Sequence, residues 1–334
     1  MVKIVYVGAV QLSAVGLTAL IDKGIKPDLV CTLHRHLAHR HSDFDDLEPI
    51  TSKHNIPLLR VDNINAPESL AAIKALSPDY LLIIGWSQLL KGELLKIPLK
   101  STVGFHFAYL PRNRGRAAIP WAILNQEREA GVSLLHIDEG VDSGDLITQE
   151  KYEVATDETA ETLYAKVCDG LCLMMSQVAD WLHQGQDLPA LPQDHRTATY
   201  LAKRTAEDGW IEWNKSAEDI DRLIRASGRP YPGAFTVHRN QKLIIWKSRL
   251  RPTCNQVGTV GQVLSLNDDT SVTIQCGSGW IDLLEVESED GNRVLPATYF
   301  RRPHDRLGLD LFQLWTAQRE LVARLDALER DSSE

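Results

Sequence analysis

Residues 3–34 read KIVYVGAVQLSAVGLTALIDKGIKPDLVCTLH, and this stretch decides the fold class. KIVYVGAV is a β-branched run closed by small residues, the pattern of a buried strand. Val15, Leu17, Leu20 and Ile21 then recur at helical spacing, and Gly24 supplies a helix stop. DLVCTLH returns to a strand pattern. Two strand patterns joined by a helix describe a βαβ unit, whose strands run parallel.

The alternation continues outward. LEPITSKHN (47–55) reads as a helix and IPLLRV (56–61) as a third strand. PESLAAIKALSP (67–78) is a helix closed by Pro78, and DYLLIIGW (79–86) is a strongly apolar fourth strand. The fold class expected is α/β, a Rossmann-like parallel sheet with helices on both faces. Ligands of such sheets sit at the carboxyl ends of the strands, so the loops after Val7, Leu33 and Ile84 are expected to border a site. Gly8 is followed by AVQLSAVG, which lacks the G-x-G-x-x-G spacing of a dinucleotide fingerprint.

With 334 residues the chain suggests two domains, and 43% apolar residues suffice for ordinary cores. Five scattered cysteines have no framework spacing and read as reduced thiols. Cys168 and Cys172 lie one helical turn apart in CDGLCLMM and read as small buried hydrophobes. The N-terminal residues run straight into the first strand pattern without a cleavage site, and no stretch approaches the ~18 apolar residues of a membrane span. A cytoplasmic protein with no membrane contact is expected. The net charge of −9 argues against a chain whose main task is gripping nucleic acid, because phosphate contacts dominate such affinity.

Further along, a long helix is expected from Thr159 to His183, and QGQDLPALPQD (184–194) reads as a linker-like crossing. Composition then shifts. The helix SAEDIDRLIRAS (216–227) precedes the short strand patterns AFTVHR, LIIWKSRL, GTVGQVLSL, SVTIQC and WIDLLEVES, with an Asp-Gly turn at 290–291. These predict a small C-terminal β-barrel of OB-like type, followed by a terminal helix expected to fray at its end. The domains expected are 1–200 and 201–334.

The chemistry concentrates in GFHFAYLPRNRG (104–115) and GVDSGD (140–145). His106 is a proton carrier suited to neutral pH. Asp142, in a glycine-flanked turn, is placed to orient that imidazole or to hold its charged form. Asp145 reads as a structural turn residue. His34, His36, His39 and His41 crowd one loop, but no Cys or carboxylate stands at zinc-finger spacing with them, so the loop reads as solvent-facing and no metal is expected.

These two motifs resemble the catalytic segment of the folate-dependent formyltransferases, the family of methionyl-tRNA formyltransferase and the sugar N-formyltransferases. That segment reads roughly N-x-H-x-x-x-L-P-x-x-R-G and then G-[VL]-D-[ST]-G-D. The matches are His106, Leu110, Pro111, Arg114, Gly115 and the run Gly140, Val141, Asp142, Ser143, Gly144, Asp145. Gly104 stands where the family carries its catalytic asparagine.

The resemblance implies a Rossmann-like catalytic domain followed by an open β-barrel, and a formyl transfer from N10-formyltetrahydrofolate to an amine. It implies His106 as base or oxyanion contact, Asp142 as its electrostatic partner, and only the backbone N–H of Gly104 in place of the missing amide. Loss of one oxyanion donor typically costs ~10²–10³ in rate. IIGWSQLLKGELL resembles the segment that lines the pterin pocket, which implies folate contacts at Gly85, Trp86, Ser87 and Leu89. Ile137, Asp138, Glu139, Gly140 and Asp142 would form the facing wall. Arg114, Arg204, Arg225 and Tyr231 would meet the second substrate. RHSDFDDL (40–47) resembles a loop of the sugar-nucleotide members, which implies a nucleotide-activated amino sugar and a place in bacterial surface glycan synthesis. Two other readings are a methionyl-tRNA formyltransferase and a non-catalytic folate- or nucleotide-sugar-binding protein, the latter because of Gly104. A homodimer is compatible with the same reading.

Overall fold

A computed structural model describes residues 2–40, 42–309 and 311–331, the side chains of 40, 311–313, 326, 327 and 329–331 excepted. His41, one of the four loop histidines, and the last three residues of the chain lie outside the described residues. The chain divides into two compact units: Met1–Ala206 with Arg229–Pro232, and Glu207–Gly228 with Gly233–Glu334.

The first unit opens with β1 (Ile4–Val7), α1 (Gln11–Asp22) and β2 (Leu29–Leu33). There follow α2 (Glu48–His54), β3 (Leu58–Val61), α3 (Pro67–Leu76) and β4 (Tyr80–Ile83). Next come α4 (Gly92–Leu95), β5 (Ser101–His106), the two-residue β6 (Arg114–Gly115) and α5 (Ala118–Leu124). β7 (Glu129–His136), β8 (Leu146–Glu153), α6 (Ala160–His183) and β9 (Tyr200–Leu201) complete it. The main sheet has the order β3-β2-β1-β4-β5-β7-β8. Its first five strands are parallel, in the Rossmann-like order, as the alternation predicts. β7 and β8 pair antiparallel, as a hairpin joined by residues 137–145, so the acidic turn lies at a hairpin end rather than in a crossover.

The strands read as apolar runs because both faces are covered: Val5, Val7, Cys31 and Leu81 are wholly buried. On α6, Leu163, Val167, Leu171, Met174 and Val178 form a buried stripe at helical spacing. The Thr159 side chain caps the helix by accepting from Thr162 N. Burial pushes the Cys31 thiol up to about 12 and the Cys168 thiol up to about 11, but Cys168 and Cys172 are half-buried rather than buried as their apolar run suggests. The stretch 184–194 is not a free linker. Leu188 is buried, and Leu146 and Leu191 exchange both backbone hydrogen bonds, at 2.8 and 2.9 Å.

The second unit contains α7 (Ala217–Ser227), β10 (Ala234–His238), β11 (Gln241–Arg251) and β12 (Val263–Leu266). β13 (Val272–Gln275), β14 (Trp280–Ser288), β15 (Arg293–Val294), α8 (Pro296–Tyr299) and α9 (Leu311–Asp331) follow. Its antiparallel sheet has the order β10-β11-β14-β13-β12, with β15 beside β14. Register shifts bend β11 between Ile245 and Ser248. Among the described residues no ladder joins β10 to β12, so the expected barrel is open. Ile220 and Ile224 of α7 enter the same core as Leu243, Ile274 and Leu283.

Candidate active site

His106 is the last residue of β5 and is 7% exposed. Its Nε2 lies 2.7 Å from the carbonyl oxygen of Asn113. A carbonyl only accepts, so this contact assigns the ring proton to Nε2 and leaves the lone pair on Nδ1. Nδ1 faces Asp142 Oδ2 at 3.6 Å. The nitrogen free to take a proton is therefore the one beside a carboxylate, and the imidazolium formed there has a counter-charge waiting.

Asp142 is held from two sides. Its Oδ2 accepts from the backbone N of Gly115 at 2.8 Å, and its carbonyl accepts from Gln193 Nε2 at 2.9 Å. It sits at φ 49°, a left-handed conformation that Asp tolerates in turns. Gly144 is required by close approach: a Cβ there would stand 1.8 Å from the carbonyl oxygen of His136. Asp145 accepts from the backbone N of His136 through its own carbonyl, in keeping with a structural role.

The two motifs are fastened to each other by a residue that neither contains. Gln193 is buried. Its Oε1 accepts from Arg114 Nη2 at 2.7 Å, and its Nε2 donates to the carbonyls of Asp142 and Gly144, the latter at 2.6 Å. The Arg114 guanidinium is 2% exposed and also contacts His195 Nδ1 at 3.1 Å and the Tyr200 hydroxyl at 3.2 Å. Arg114, expected at the second substrate, is thus turned inward and engaged by the chain's own groups. The pairing of β6 with β9 explains the inversion, because it closes segment 193–201 over the arginine. Arg112 and Arg116, its neighbours in the loop, are exposed.

Gly104 lies within β5 opposite Leu135. A Cβ at Gly104 would meet Ile137 Cγ1 and Cδ1, each at 2.9 Å. Ile137 therefore fills the space beside position 104 with its Cγ1 methylene and Cδ1 methyl.

The residues expected to hold folate fall on two segments. Gly85 has φ 67°, and Ser13 crosses to it by donating from Oγ to the Ile84 carbonyl at 2.6 Å. Ser13 Oγ also accepts from the backbone N of Ala9 at 3.0 Å, which ties the first βα turn to the end of β4. Trp86 is half-buried, and its buried indole N–H has no hydrogen-bond partner among the described residues. Ser87 and Leu89 are exposed, Leu89 to 82%. Ile137 is half-buried, whereas Asp138, Glu139 and Gly140 are exposed. The Asp138 carboxylate accepts from Gly140 N and from the Ser143 hydroxyl at 2.9 and 2.7 Å, which shapes the turn.

The remaining substrate candidates each have partners of their own. Arg204 stacks its guanidinium over Trp121, 5.3 Å from the ring centroid. Arg225 belongs to the second unit, where its Nε donates to Asp221 Oδ2 at 2.8 Å. Tyr231 lies in the first unit, and burial, followed by the Asp43 charge, pushes its phenol pKa up. Gln193 and Ser13 were missed by sequence reasoning: one sits in a Pro-rich stretch read as linker, the other inside a helix. Among the described residues, His34, His36 and Asp62 bring ligand atoms within 4.8 Å of one another, although the histidines read as solvent-facing.

A base with a resident counter-charge can deprotonate an attacking amine as an acyl carbon becomes tetrahedral, which is group-transfer chemistry. Comparison with known proteins gives this chemistry a family. Residues 5–178 match the family described as formyl transferase, and residues 203–304 match its C-terminal domain. The chain belongs to the formyl transferase family.

Solved structures share the fold. HypX from Aquifex aeolicus in complex with tetrahydrofolic acid is 18% identical with a TM-score of 0.61, over 89% of this chain and 46% of that one. The chain thus spans about half the length of the HypX structures it matches. An N-formyltransferase from Helicobacter canadensis, in complex with folinic acid and dTDP-3-aminofucose, is 19% identical with a TM-score of 0.61, over 85% of this chain and 99% of that one. Methionyl-tRNA formyltransferase from Clostridium thermocellum is 17% identical with a TM-score of 0.52, over 76% and 96%. No described helix is long and apolar enough to cross a membrane.

Proposed function

We propose that this protein transfers a formyl group from N10-formyltetrahydrofolate to the amine of a nucleotide-linked amino sugar, in bacterial surface glycan synthesis. The observation that carries the reading is the His106–Asp142 pair, with the proton on Nε2 and the free Nδ1 3.6 Å from the carboxylate. As the amine attacks the formyl carbon, the C–N bond forms and the formyl oxygen gains charge. Nδ1 takes the proton that the nitrogen must lose, and Asp142 stabilises the imidazolium. The tetrahedral centre then collapses, the bond to N10 breaks, and the same proton goes to N10 of the folate. Gly104 contributes no side-chain donor to the oxyanion, and Ile137 fills the space beside it.

Folate would lie between the segments at 85–89 and 137–140, where the unpartnered indole N–H of Trp86 and the exposed Leu89 offer one polar and one apolar contact. The sugar-nucleotide substrate is supported by the likeness to the Helicobacter canadensis enzyme over nearly all of that protein's length, and by the acidic net charge of this chain. Residues 85–89, 137–140, Arg204 and Tyr231 are the proposed contacts, and Arg114 is proposed as a positioning residue.

The test is a transfer assay with N10-formyltetrahydrofolate and a panel of UDP-, dTDP- and GDP-amino sugars, read by product mass. A formylated sugar that is lost in His106→Ala supports the reading. Folate binding without transfer to any amine of the panel or to methionyl-tRNA would favour the second reading, a binding protein without turnover. The Ile137 side chain over Gly104 is the observation that favours it.

A further inference from the structure

The histidine-rich loop after β2 is more tightly built than its composition implies. The backbone N of His34 donates to the Val61 carbonyl at 3.2 Å, so the chains leaving β2 and β3 stay together for one more step. Leu37 N donates to the His34 carbonyl at 2.9 Å and opens the 3-10 turn Arg35–Arg40. That turn brings the His36 ring to 5.5 Å from the His34 ring. On the far side, Gln88 Nε2 donates to the Asp62 carbonyl at 2.8 Å. Arg60 donates to the Leu33 carbonyl at 3.3 Å and pairs with Asp46 and Glu48 at 2.8 and 2.9 Å. The backbones of His34 and Asp62 are therefore fixed by groups outside the side-chain cluster.

The side chains converge accordingly. One ligand atom each from His34, His36 and Asp62 lies within 4.8 Å of the others, and His36 Nε2 stands 3.3 Å from Asp62 Oδ1. Two ligand atoms bound ~2.0–2.1 Å from a tetrahedral ion are themselves ~3.3–3.4 Å apart. The His36–Asp62 pair already has that spacing, and His34 need close by no more than ~1.5 Å, within reach of a ring rotation. The local field is permissive: Arg35 and Arg60 are both paired with Asp46 and Glu48, so an incoming cation meets no uncompensated guanidinium.

We propose that His34, His36 and Asp62 bind a divalent transition-metal ion, zinc foremost, with at least one coordination position open. Two imidazoles and one carboxylate are the donor set that zinc and its neighbours take in sites with open positions. The site lies at the carboxyl ends of β2 and β3, the edge where parallel α/β sheets receive ligands. Its open position is available to water or to an anionic oxygen of a bound molecule. The proposal is independent of the formyl-transfer reading, because none of its three ligands is a proposed folate or sugar contact and its test needs no turnover.

The experiment titrates the tag-free full chain, stripped with chelator, with Zn²⁺ against a chromophoric competitor, and with Co²⁺ by visible absorption. One equivalent bound at micromolar affinity or tighter is expected, with Co²⁺ giving the absorption of a low-coordinate ion. His36→Ala and Asp62→Asn should each weaken binding roughly tenfold or more, while His54→Ala leaves it unchanged. His36 and Asp62 are 62% and 63% exposed, so folding of the variants is expected to survive, and circular dichroism checks it. Absence of a stoichiometric site, or equal affinity in the parent and the His36→Ala and Asp62→Asn variants, overturns the proposal.

Discussion

Gln193→Ala is the most discriminating perturbation of the candidate site, because Gln193 touches both motifs and belongs to neither. The variant removes an acceptor from the Arg114 guanidinium and a donor from the Asp142 and Gly144 carbonyls. A charge-assisted hydrogen bond contributes about 1.5–3 kcal/mol and each neutral one about 0.5–1.5. The sum is about 2.5–6 kcal/mol, centred near 4, for a side chain with 6% exposure and little access for replacement water. The readout is hydrogen exchange at the Gly115 amide, which donates to Asp142 Oδ2 and reports whether the turn still faces the loop. Protection there should fall by roughly 10²–10³. Gln193→Glu divides the effect: its carboxylate still accepts from Arg114 but cannot donate to the two carbonyls. It should lose Gly115 protection while losing less global stability than Gln193→Ala. Unchanged Gly115 exchange in Gln193→Ala, with stability within about 1 kcal/mol of the parent, would refute the reasoning.

Asp142→Asn keeps an oxygen for Gly115 N and removes the charge facing His106 Nδ1, so formyl transfer should fall by ~10²–10³ with the fold intact; single-turnover kinetics and circular dichroism check the two halves. Gly104→Asn should destabilise by about 1–3 kcal/mol, because its Cβ overlaps Ile137, and Gly104→Asn with Ile137→Ala should recover most of that in denaturant unfolding. His238 gives a pH effect in the second unit. Burial lowers its pKa, against the raising pull of Asp305, so the folded state prefers the neutral ring. The unfolded chain then binds the extra proton first, and stability is full above the unfolded value of about 6.5 and is lost as pH falls below it. Thermal unfolding of the parent between pH 7.5 and 5.5 should show that slope, and His238→Gln should flatten it.

Much of the architecture is legible from local pattern. The four strands from Ile4 to Ile83 and the helix Ala160–His183 follow from apolar periodicity and turn residues, which need no tertiary information. The pairing of His106 with Asp142 was implied by family resemblance. What sequence hides is set by contacts between distant segments. Arg114 reads as a contact to the second substrate until β6 pairs with β9, and its acceptor Gln193 lies 79 residues away. Ile137 reads as a pocket wall, yet it also fills the volume beside Gly104, which only the register of β5 against β7 reveals. His36 and Asp62 are brought together by the parallel register of β2 with β3, so spacing along the chain carries no ligand signature.

The same contacts define where the catalytic unit ends in a physical sense. The family match of the first domain stops at residue 178, and the two motifs at 104–115 and 140–145 lie before it. The groups that aim those motifs come later: Gln193 behind the acidic turn, Thr199 accepting from Arg114 N and, through its hydroxyl, from Asn113 N, and Tyr200 on the Arg114 guanidinium. Asn113 is also the residue whose carbonyl assigns the His106 tautomer. The tautomer of His106 is thus set through a loop that segment 193–201 holds in place, and the geometry of the candidate site belongs to the whole of the first compact unit rather than to the motif-bearing stretch within it.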